Sequence, residues 1–282
     1  MKSIKYFFQF LIILLFFLIF KIIGLKNASN FSYKLFYTIG PFFRSREIVK
    51  SNILKAFPNL DQTGIKKISG NMWGNYGRIL SEYVFMKNFR DNNLKINGQE
   101  ILKQIIKDNK PVIFISGHFN NFELMAMHIE KSGIDLATIY RPLNNKFLNI
   151  IMEKIRKKYI CKNQIKKGIS GTKELLSFFK NGTSIALMID QRVSQGIKSY
   201  FFKNKAFTTT IPAQFVKKFG CKIVPVYIER IKDIDFEITI SKPLEYSSNN
   251  SIEDITLDLN SSLEKMILKK PGQWIWSHNR WK

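Results

Sequence analysis

The sequence predicts an α/β fold with a mostly parallel sheet covered by helices, preceded by one transmembrane helix at the N-terminus. Three observations support this prediction. A run of 20 largely apolar residues lies close to the N-terminus, a helical region follows it, and short apolar strands then alternate with amphipathic helices. Such alternation is typical of a parallel sheet with helices on both faces, because a crossover helix must return the chain before each new parallel strand.

The apolar run covers residues 6–25 and is interrupted only by Gln9 and Lys21. A helix of this length spans about 30 Å, the thickness of the hydrocarbon core of a bilayer. Lysines precede the run, as in a signal peptide, but no convincing small-residue cleavage site follows it. We therefore predict a retained anchor at residues 1–25, with a cleaved signal or a buried core helix as the alternatives. More basic residues follow the run than precede it, which places the rest of the chain in the cytoplasm.

The rest of the chain, residues 26–282, is predicted to form one domain with a helical part at 26–93 and an α/β core at 94–282. In the helical part, a stripe of residues at helical spacing is expected to face the core; its members are Met72, Tyr76, Ile79, Leu80 and Tyr83. In the core, apolar runs predict strands at 111–116, 134–140, 184–189, 222–229 and 236–241. Helices are predicted at 121–131, 147–159, 172–180, 211–219 and 252–268. The last two strands are interpreted as an antiparallel pair.

The composition limits the kinds of partner and chemistry. Lysine and arginine number 45 against 21 acidic residues, a net charge of +24 that favours anionic partners such as nucleic acid, anionic lipid or an acidic protein. A codon bias towards A and T, visible as a general richness in Lys, Ile and Asn, is the alternative source of that charge. Two cysteines, Cys161 and Cys221, provide neither a disulfide framework nor a metal site. We expect no metal and no cofactor, and no alternating basic and aromatic pattern indicates nucleic-acid binding.

One segment has the features of a catalytic turn. The apolar strand at 111–116 is followed by Gly117, which permits a tight turn, and by His118. A helix then opens near Glu123. The carboxyl ends of strands in α/β sheets are where ligands bind, and a histidine there can act as a general base. If His118 lies in the turn and Glu123 in the first helical turn, the carboxylate can reach the ring and fix its tautomer.

The same segment also has a structural interpretation. Asn120 could begin the helix, so that Glu123, three residues further on, would complete a capping box. His118 would then be an ordinary turn histidine. A histidine and a glutamate separated by four residues form a weak signal, so their spacing alone leaves both interpretations open.

Several other segments carry a family resemblance and occur in the family's order. Besides the histidine segment they are residues 73–78 with 82–83, 140–145, 190–191, 208–210, 220–226 and 274–281. From about residue 65 to its end, the chain resembles the bacterial lipid A late acyltransferases, a branch of the glycerolipid acyltransferase superfamily. It departs from the family pattern at Ser277 and Asn279 in the closing segment, and at Arg192. These departures concern the acceptor and leave the reaction class unchanged.

The resemblance implies transfer of a fatty acyl chain from an acyl carrier protein to a hydroxyl of a lipid A precursor at the bacterial inner membrane. It makes His118 the general base and Glu123 the acid that orients it, without a serine or cysteine nucleophile. The alternative within this class is another lipid acceptor, such as a glycerophosphate, a mannosylated phosphoinositide or an ornithine lipid. Outside it, the alternative is a non-enzymatic, membrane-tethered binder of anionic lipid or RNA. An acidic carrier would be attracted by the basic domain, and Lys166 and Lys167 are candidates for that contact.

Four further residues are candidates for substrate binding. Arg141, after a strand, could stabilise the thioester oxyanion or bind an acceptor phosphate. Asp190, at a strand end, could orient Arg141 or another base of the site, and a turn-capping role is the alternative. Asn121 and Thr209 complete the set, although Thr209 and its two threonine neighbours are better explained as a helix cap. His128 is expected on a helix surface, and the tryptophans of the closing segment are expected to be membrane-interface or core anchors.

Overall fold

The computed structural model describes residues 2–92 and 94–282, and helices dominate its first third. In chain order they are α1 (Lys2–Ile23), α2 (Leu25–Ile39), α3 (Arg46–Ala56), α4 (Gln62–Glu82) and α5 (Met86–Asp91). Gly24, with a φ of 78°, separates α1 from α2. Helices α2 and α4 pack closely because α4 has glycines at the contact. A Cβ on Gly77 would lie 2.2 Å from the carbonyl oxygen of Ser32, and two other glycines of α4 face tyrosine rings of α2 almost as closely.

Among the described helices, α1 is the one that is long and apolar enough to cross a membrane, judged by length and composition. Its most apolar window has a mean hydropathy of 2.5, and 11% of that window is buried. Its N-terminal half contacts α8 (Lys146–Ile155): Asn145 Nδ2 donates to the carbonyl oxygen of Tyr6 at 2.8 Å, and Phe147 packs against two phenylalanines of α1. Phe20, near the other end, is buried. The helix thus rests on the domain at both ends while most of its surface stays exposed.

A seven-stranded sheet forms the centre of the remaining chain. Its strands are β1 (Lys95–Asn97), β2 (Ile113–Ser116), β3 (Leu136–Tyr140), β4 (Asn163–Lys166), β5 (Ser184–Met188), β8 (Ile223–Lys232) and β9 (Asp235–Ile240). Their order is β1-β9-β8-β2-β5-β3-β4, and every neighbouring pair is parallel except β8 and β9, which are antiparallel. Strands β6 (Ile197–Phe201) and β7 (Asn204–Thr208) form a separate antiparallel hairpin. The predicted fold class, a mostly parallel sheet with helices, is confirmed.

Helices connect the strands of the sheet. They are α6 (Gln99–Asp108), α7 (Glu123–Lys131), α8, α9 (Ile169–Lys180) and α10 (Ile211–Phe219), and one π-helical turn (Arg156–Ile160) continues α8. A last helix, α11 (Ile252–Lys269), follows β9. The helix predicted at 211–219 is confirmed at both ends. It stops where Gly220, with a φ of 60°, donates its N–H to the carbonyl oxygen of Val216 at 2.8 Å. Strands β1 and β4 were not predicted from the sequence because they are short, polar edge strands.

The middle of the sheet determines where the site lies. Strand β2 is flanked by β5 and β8, and all four of its residues are buried. A strand covered on both faces has an uninterrupted apolar sequence, which explains the run that predicted it. Strands β2 and β5 are parallel, with Ser116 beside Met188. Their carboxyl ends therefore meet at one edge, and the loops that follow bring His118 and Asp190 together.

Candidate active site

The turn after β2 brings the backbone of Gly117 against a carboxylate. A Cβ on Gly117 would lie 2.9 Å from Leu263 Cδ1 and 3.2 Å from Asp190 Oδ2. Because real Cβ atoms seldom come so close to other atoms, a larger residue would push the turn away from Asp190. Glycine at this position therefore allows the next residue, His118, to approach Asp190.

Asp190 holds His118 through two hydrogen bonds. The ring Nδ1 lies 2.7 Å from Asp190 Oδ1, and the backbone N–H of His118 donates to Asp190 Oδ2 at 2.7 Å. The indole N–H of Trp274 also donates to Oδ2, at 2.9 Å. Asp190 is only 1% exposed, so these donors replace the water that would otherwise solvate its charge. Together they fix both the carboxylate and the imidazole that it faces.

This pairing determines the charge of the carboxylate and the tautomer of the ring. Burial disfavours the carboxylate, but the facing imidazole and the hydrogen bonds hold the pKa of Asp190 below its ordinary value. Burial also disfavours a charged ring, yet the carboxylate of Asp190 outweighs it and raises the pKa of His118. When the neutral ring carries its proton on Nδ1, directed at Asp190, Nε2 has the free lone pair. The side chain of His118 is 20% exposed, and Gln191 Nε2 lies 3.5 Å from Nε2 of the ring. The ring is thus arranged as a general base acting through Nε2.

A small cavity lies beside the imidazole. It has a volume of about 10 Å³, room for about one water molecule. Its walls include Met72, Tyr76, Ile79, Phe122 and Trp274. The first three belong to the α4 stripe that was expected to face the core, so part of that stripe faces the site.

Glu123, the first residue of α7, is bound on the other side of the turn. Its Oε1 accepts hydrogen bonds from Arg156 Nε at 2.9 Å, from Arg156 Nη2 at 2.6 Å, and from the hydroxyl of Tyr83. The guanidinium of Arg156 also lies 5.5 Å from the centre of the Tyr140 ring. The side chains of Glu123 and Arg156 are 9% and 13% exposed, respectively. Glu123 therefore belongs to a largely buried cluster with an arginine and a tyrosine.

The structure places Asp190, and not Glu123, against the ring of His118, which corrects the expected pairing. Between His118 and α7 the chain passes through Asn120, which has a φ of 29°. After this left-handed residue, Glu123 faces α8 and its extension, where Arg156 binds it. Glu123 still acts on the imidazole at longer range, because its negative charge contributes to the raised pKa of His118.

The capping-box interpretation of the turn is also not borne out. Helix α7 begins at Glu123, and the preceding residue, Phe122, provides no side-chain cap. Asn120 instead ties the turn to two other segments. Its Nδ2 donates to the carbonyl oxygen of Ile228 at 3.1 Å. Its backbone N–H donates to the carbonyl oxygen of Gln273 at 2.8 Å.

Two predicted binding residues, Arg141 and Thr209, are not among the residues that line the cavity beside His118. Arg141 is exposed beyond the carboxyl end of β3, and within the described residues no hydrogen bond joins it to Asp190. Of the two orienting roles considered for Asp190, the structure therefore shows the one towards His118. Thr209 Oγ1 accepts the backbone N–H of Ile211 at 3.3 Å, at the start of α10. The N-cap of α10 is Thr210, whose side chain makes no capping hydrogen bond, so the contact of Thr209 closes a turn just before the helix.

Asn121 belongs to a buried ionic network behind the turn. It is fully buried, and its Nδ2 donates to Glu82 Oε2 at 2.9 Å. Arg230 binds both oxygens of that carboxylate, at 2.7 and 3.0 Å, and Ser29 of α2 donates to it at 2.8 Å. The network connects the turn at 117–122, which carries His118, to the N-terminal helices and to β8. Asn121 thus points away from His118 in this conformation.

The closing segment, residues 274–281, packs beside Asp190 and holds the loop that follows it. Trp276 is fully buried and packs edge-on against Trp274, with ring centroids 4.6 Å apart. His278 Nε2 accepts the backbone N–H of Arg192 at 3.0 Å, which holds the loop that follows Asp190. Trp274 and Trp276 are therefore core anchors, one of the two roles expected for them.

Two functional features were not predicted from the sequence. Arg156 is one of four basic residues within 154–158, and nothing in the sequence indicates that it, unlike the lysines, binds Glu123. The hydrogen bond from Trp274 to Asp190 joins residues that are 84 positions apart, and no sequence pattern near either residue indicates it. The expectation that His128 lies on a surface was wrong: it is 5% exposed, and burial lowers its pKa to about 4. The physical reason is that α7 is covered by α5 and the π-helical turn as well as by the sheet.

Comparison with known proteins identifies the family. The profile of the bacterial lipid A biosynthesis acyltransferases matches residues 1–282. The chain belongs to this family. The lipid A biosynthesis palmitoleoyltransferase of Escherichia coli (strain K12) is 23% identical to this acyltransferase over 252 residues, which cover 86% of this chain and 80% of the relative. A lipid A biosynthesis acyltransferase of Shigella flexneri shows the same values.

Solved structures also resemble this acyltransferase, and one of them comes from Thermotoga maritima. The 1-acyl-sn-glycerophosphate acyltransferase of Thermotoga maritima aligns with a TM-score of 0.44 and 13% identity, covering 88% of this chain and 99% of that one. The resemblance drawn from the sequence motifs is confirmed by the family match, and with it the general activity, acyl transfer in lipid A biosynthesis.

Proposed function

We propose that this acyltransferase moves a fatty acyl chain from an acyl carrier protein to a hydroxyl of a lipid A precursor. The observation that carries the proposal is the pair formed by His118 and Asp190 at the carboxyl end of β2 and β5, in a chain of this family. A buried carboxylate on Nδ1 and a partly exposed Nε2 form the arrangement that a general base needs to activate a hydroxyl.

In the proposed reaction, His118 Nε2 removes the proton from the acceptor hydroxyl while its Nδ1–H remains bonded to Asp190. The acceptor oxygen attacks the thioester carbonyl carbon, and a tetrahedral intermediate forms. When the intermediate collapses, the C–S bond breaks, and the leaving thiolate takes the proton from Nε2 and becomes the free thiol. The products are the acyl ester and the free carrier thiol, so the base is regenerated and no covalent acyl-enzyme is needed.

Glu123 remains a proposed catalytic residue, with a role that differs from orienting the ring. Its negative charge favours the imidazolium that forms when His118 accepts the proton. Arg156 and Tyr83 keep that charge in place. We propose that Arg141, exposed beyond β3, binds a phosphate of the acceptor, because a guanidinium can bind such a group through two hydrogen bonds.

The proposed location is the bacterial inner membrane, with the α/β domain on the cytoplasmic side. Helix α1 supports membrane attachment by its length and hydropathy. Lipid A precursors are amphipathic, so a membrane-attached acyltransferase meets them where they lie. The preponderance of basic residues after α1 supports the cytoplasmic side.

A mass spectrum of the reaction products tests the proposal. Purified full-length protein in detergent is incubated with an acyl carrier protein thioester and one acceptor at a time: a lipid A precursor, a glycerophosphate lipid or an ornithine lipid. We expect one added acyl chain on the lipid A precursor. Acylation of another acceptor alone would contradict the proposed substrate, and no acylation by any combination would contradict the proposed reaction. A lipid A spectrum from cells with and without the gene provides an independent check.

A further inference from the structure

The hairpin formed by β6 and β7 has a basic and aromatic face that the proposed chemistry does not use. In its register Lys198 lies opposite Phe207, and Tyr200 lies opposite Lys205. The ammonium of Lys198 is 5.4 Å from the Phe207 ring, and that of Lys205 is 5.8 Å from the Tyr200 ring. The lysines and Tyr200 are exposed, whereas the opposite face of the hairpin is buried. The exposed face therefore carries positive charge on an apolar support.

The tip of this hairpin is held in a costly conformation. Phe202 and Lys203 have φ values of 48° and 58°, in the left-handed region that residues other than glycine seldom adopt. Phe202 is buried against Phe57, and its backbone N–H donates to Glu264 Oε1 at 2.7 Å. Because the surrounding structure fixes Phe202, the exposed Lys203 is held at the tip. Two-residue hairpin loops commonly need a positive φ at both central residues, so this conformation follows from the tight connection between β6 and β7.

A groove beside the tip extends this positive surface. It lies between α3 and the hairpin and has a volume of about 480 Å³. Leu54, Pro58 and Asn204 line it, together with Lys50 and Lys55 and one acid, Glu47. Asn204 Nδ2 donates to the carbonyl oxygen of Lys55 at 3.3 Å, so the groove and the tip are one continuous surface. We call Lys50, Lys55, Lys198, Lys203 and Lys205 the hairpin surface.

The charges of the hairpin surface are available to a partner. In the described part of the chain, none of its five lysines forms an ion pair. By contrast Lys166, a candidate carrier contact from the sequence, lies 3.9 Å from Glu153. Lys167, the other candidate from the sequence, forms no ion pair in the described part of the chain, and its charge acts on His118. The hairpin surface gathers five unpaired lysines, and this larger charge favours it as the binding site of an acidic partner.

This surface is also adjacent to the catalytic pair. The loop that begins at Asp190 leads directly into β6. Inside the hairpin, the Phe201 ring lies 5.9 Å from Trp274, and Trp274 donates to Asp190. One layer of side chains therefore separates the hairpin from the carboxylate that holds His118. The hairpin packs on α11 and contacts α3, whereas α1 packs against α2, α4 and α8. A partner on the hairpin surface therefore binds elements other than those that hold the membrane helix.

We propose that the hairpin surface docks the acidic carrier protein that delivers the acyl thioester. The proposal rests on the proposed function, which requires such a donor. Complementary charge would steer the carrier to this surface and speed its association. The loop that starts at Asp190 joins this surface to the partner of His118, so a carrier bound there lies beside the loop that borders the site. The aromatic rings lie under lysine ammonium groups, which leaves them less suited than open rings to stacking with nucleotide bases.

A comparison of two charge-reversal variants tests this docking site. In the first, Lys198, Lys203 and Lys205 are changed to glutamate. In the control, three exposed lysines at α6, Lys103, Lys107 and Lys110, are changed in the same way, so the net charge falls equally. Binding of a dye-labelled acyl carrier protein to each full-length protein in neutral-lipid nanodiscs is measured by fluorescence anisotropy. Thermal unfolding shows whether each variant is folded. If the triple hairpin variant does not fold, Lys203→Glu at the exposed tip replaces it.

We expect Kd for the carrier to rise about tenfold or more in the hairpin variant and less than about twofold in the control. Raising the salt from about 0.01 M to about 0.1 M should weaken carrier binding to the unaltered protein several-fold, because the Debye length falls from about 30 Å to about 10 Å. Equal losses in both variants would overturn the proposal, since only overall charge would matter. If the unaltered protein binds an RNA oligonucleotide as tightly as it binds the carrier, and the hairpin variant loses both, the result would overturn the proposal in favour of a nucleic-acid site.

Turnover separates this proposal from the proposed function. The hairpin variant should lose kcat/KM with the carrier donor and keep its rate with an acyl thioester of a small neutral thiol. If neither donor supports acyl transfer by the unaltered protein, the proposed function fails, whatever the anisotropy shows. If the unaltered protein transfers the acyl chain and both variants have an unchanged kcat/KM with the carrier donor, the proposed docking surface is wrong and the proposed function stands.

Discussion

Two of the carboxylates beside the turn that carries His118 have different partners. Asp190, 72 residues away in sequence, accepts hydrogen bonds from the His118 ring and backbone. Glu123, five residues away, is bound by Arg156 and Tyr83. In this protein the partner of the histidine therefore comes from the neighbouring parallel strand and not from the next acidic residue of the motif. Each carboxylate should therefore contribute differently to the reaction, and four substitutions measure those contributions.

The largest effect is expected for His118→Ala. A general base contributes about 10²- to 10⁴-fold to the rate, so acyl transfer should fall by at least about 100-fold. Folding should be retained, because the ring lies in a turn beyond the end of β2 and is partly exposed. Activity is measured with purified protein, and thermal unfolding serves as the control. A variant that keeps more than about a tenth of the rate would contradict the role of His118.

Asp190→Asn should have the next largest effect, about 100-fold on kcat. The asparagine preserves the shape but removes the charge that raises the pKa of His118. A general base works in its neutral form, so the acidic limb of the pH–rate profile follows the pKa of that ring. This limb should move to lower pH in Asp190→Asn. An unchanged limb would mean that Asp190 does not act on the imidazole.

Glu123→Gln should reduce the rate by about tenfold, less than Asp190→Asn does. Its charge acts on His118 only at a distance, so the acidic limb should move to lower pH by a smaller amount. The substitution also weakens the partner of a largely buried arginine, and the free energy of unfolding should fall by about 2 kcal/mol. Denaturant unfolding and a pH–rate profile measure the two effects. A larger shift of the limb than in Asp190→Asn would reverse the roles assigned to the two carboxylates.

Trp274→Phe should have the smallest effect on the rate, less than about tenfold. It removes one donor from Asp190, and a hydrogen bond to a charged group contributes about 1.5–3 kcal/mol. With less stabilisation of its charge, Asp190 becomes a stronger acceptor, so the pKa of His118 should rise. The acidic limb should then move to higher pH, opposite to its direction in Asp190→Asn. A shift in the same direction for both variants would show that Trp274 acts only through packing.

The fold class and the position of His118 at the carboxyl end of a strand could be predicted from patterns in the local sequence. A continuous apolar strand, a glycine and a histidine at its carboxyl end are all visible between residues 111 and 118. The partner of that histidine could not be predicted in this way. It depends on β5 lying beside β2, which is a property of the sheet order. The position of Arg156 depends on a π-helical turn, and nothing in its basic surroundings indicates that turn.

The contacts of α1 and the location of the exposed lysines also could not be predicted from local sequence. The apolar character of α1 is evident from residues 6–25, but its contact with Asn145 and Phe147 depends on the path of β3 into α8. The basic composition likewise predicts an anionic partner without giving its binding site. Only the fold separates exposed lysines that are gathered on the hairpin from those spread over α6. Patterns along the chain therefore predict elements and chemistry, whereas pairings between elements require the structure.

The hydrogen bond on His118 Nδ1 is the central claim, and proton NMR tests it most directly. Protein labelled with ¹⁵N-histidine contains only three labelled residues, His118, His128 and His278, so the ring signals can be assigned by substitution. A ring proton held between Nδ1 and a buried carboxylate resonates far downfield. We predict such a signal for His118 in the unaltered protein and in Glu123→Gln, and its loss in Asp190→Asn. A signal that survives in Asp190→Asn and disappears in Glu123→Gln would contradict the account.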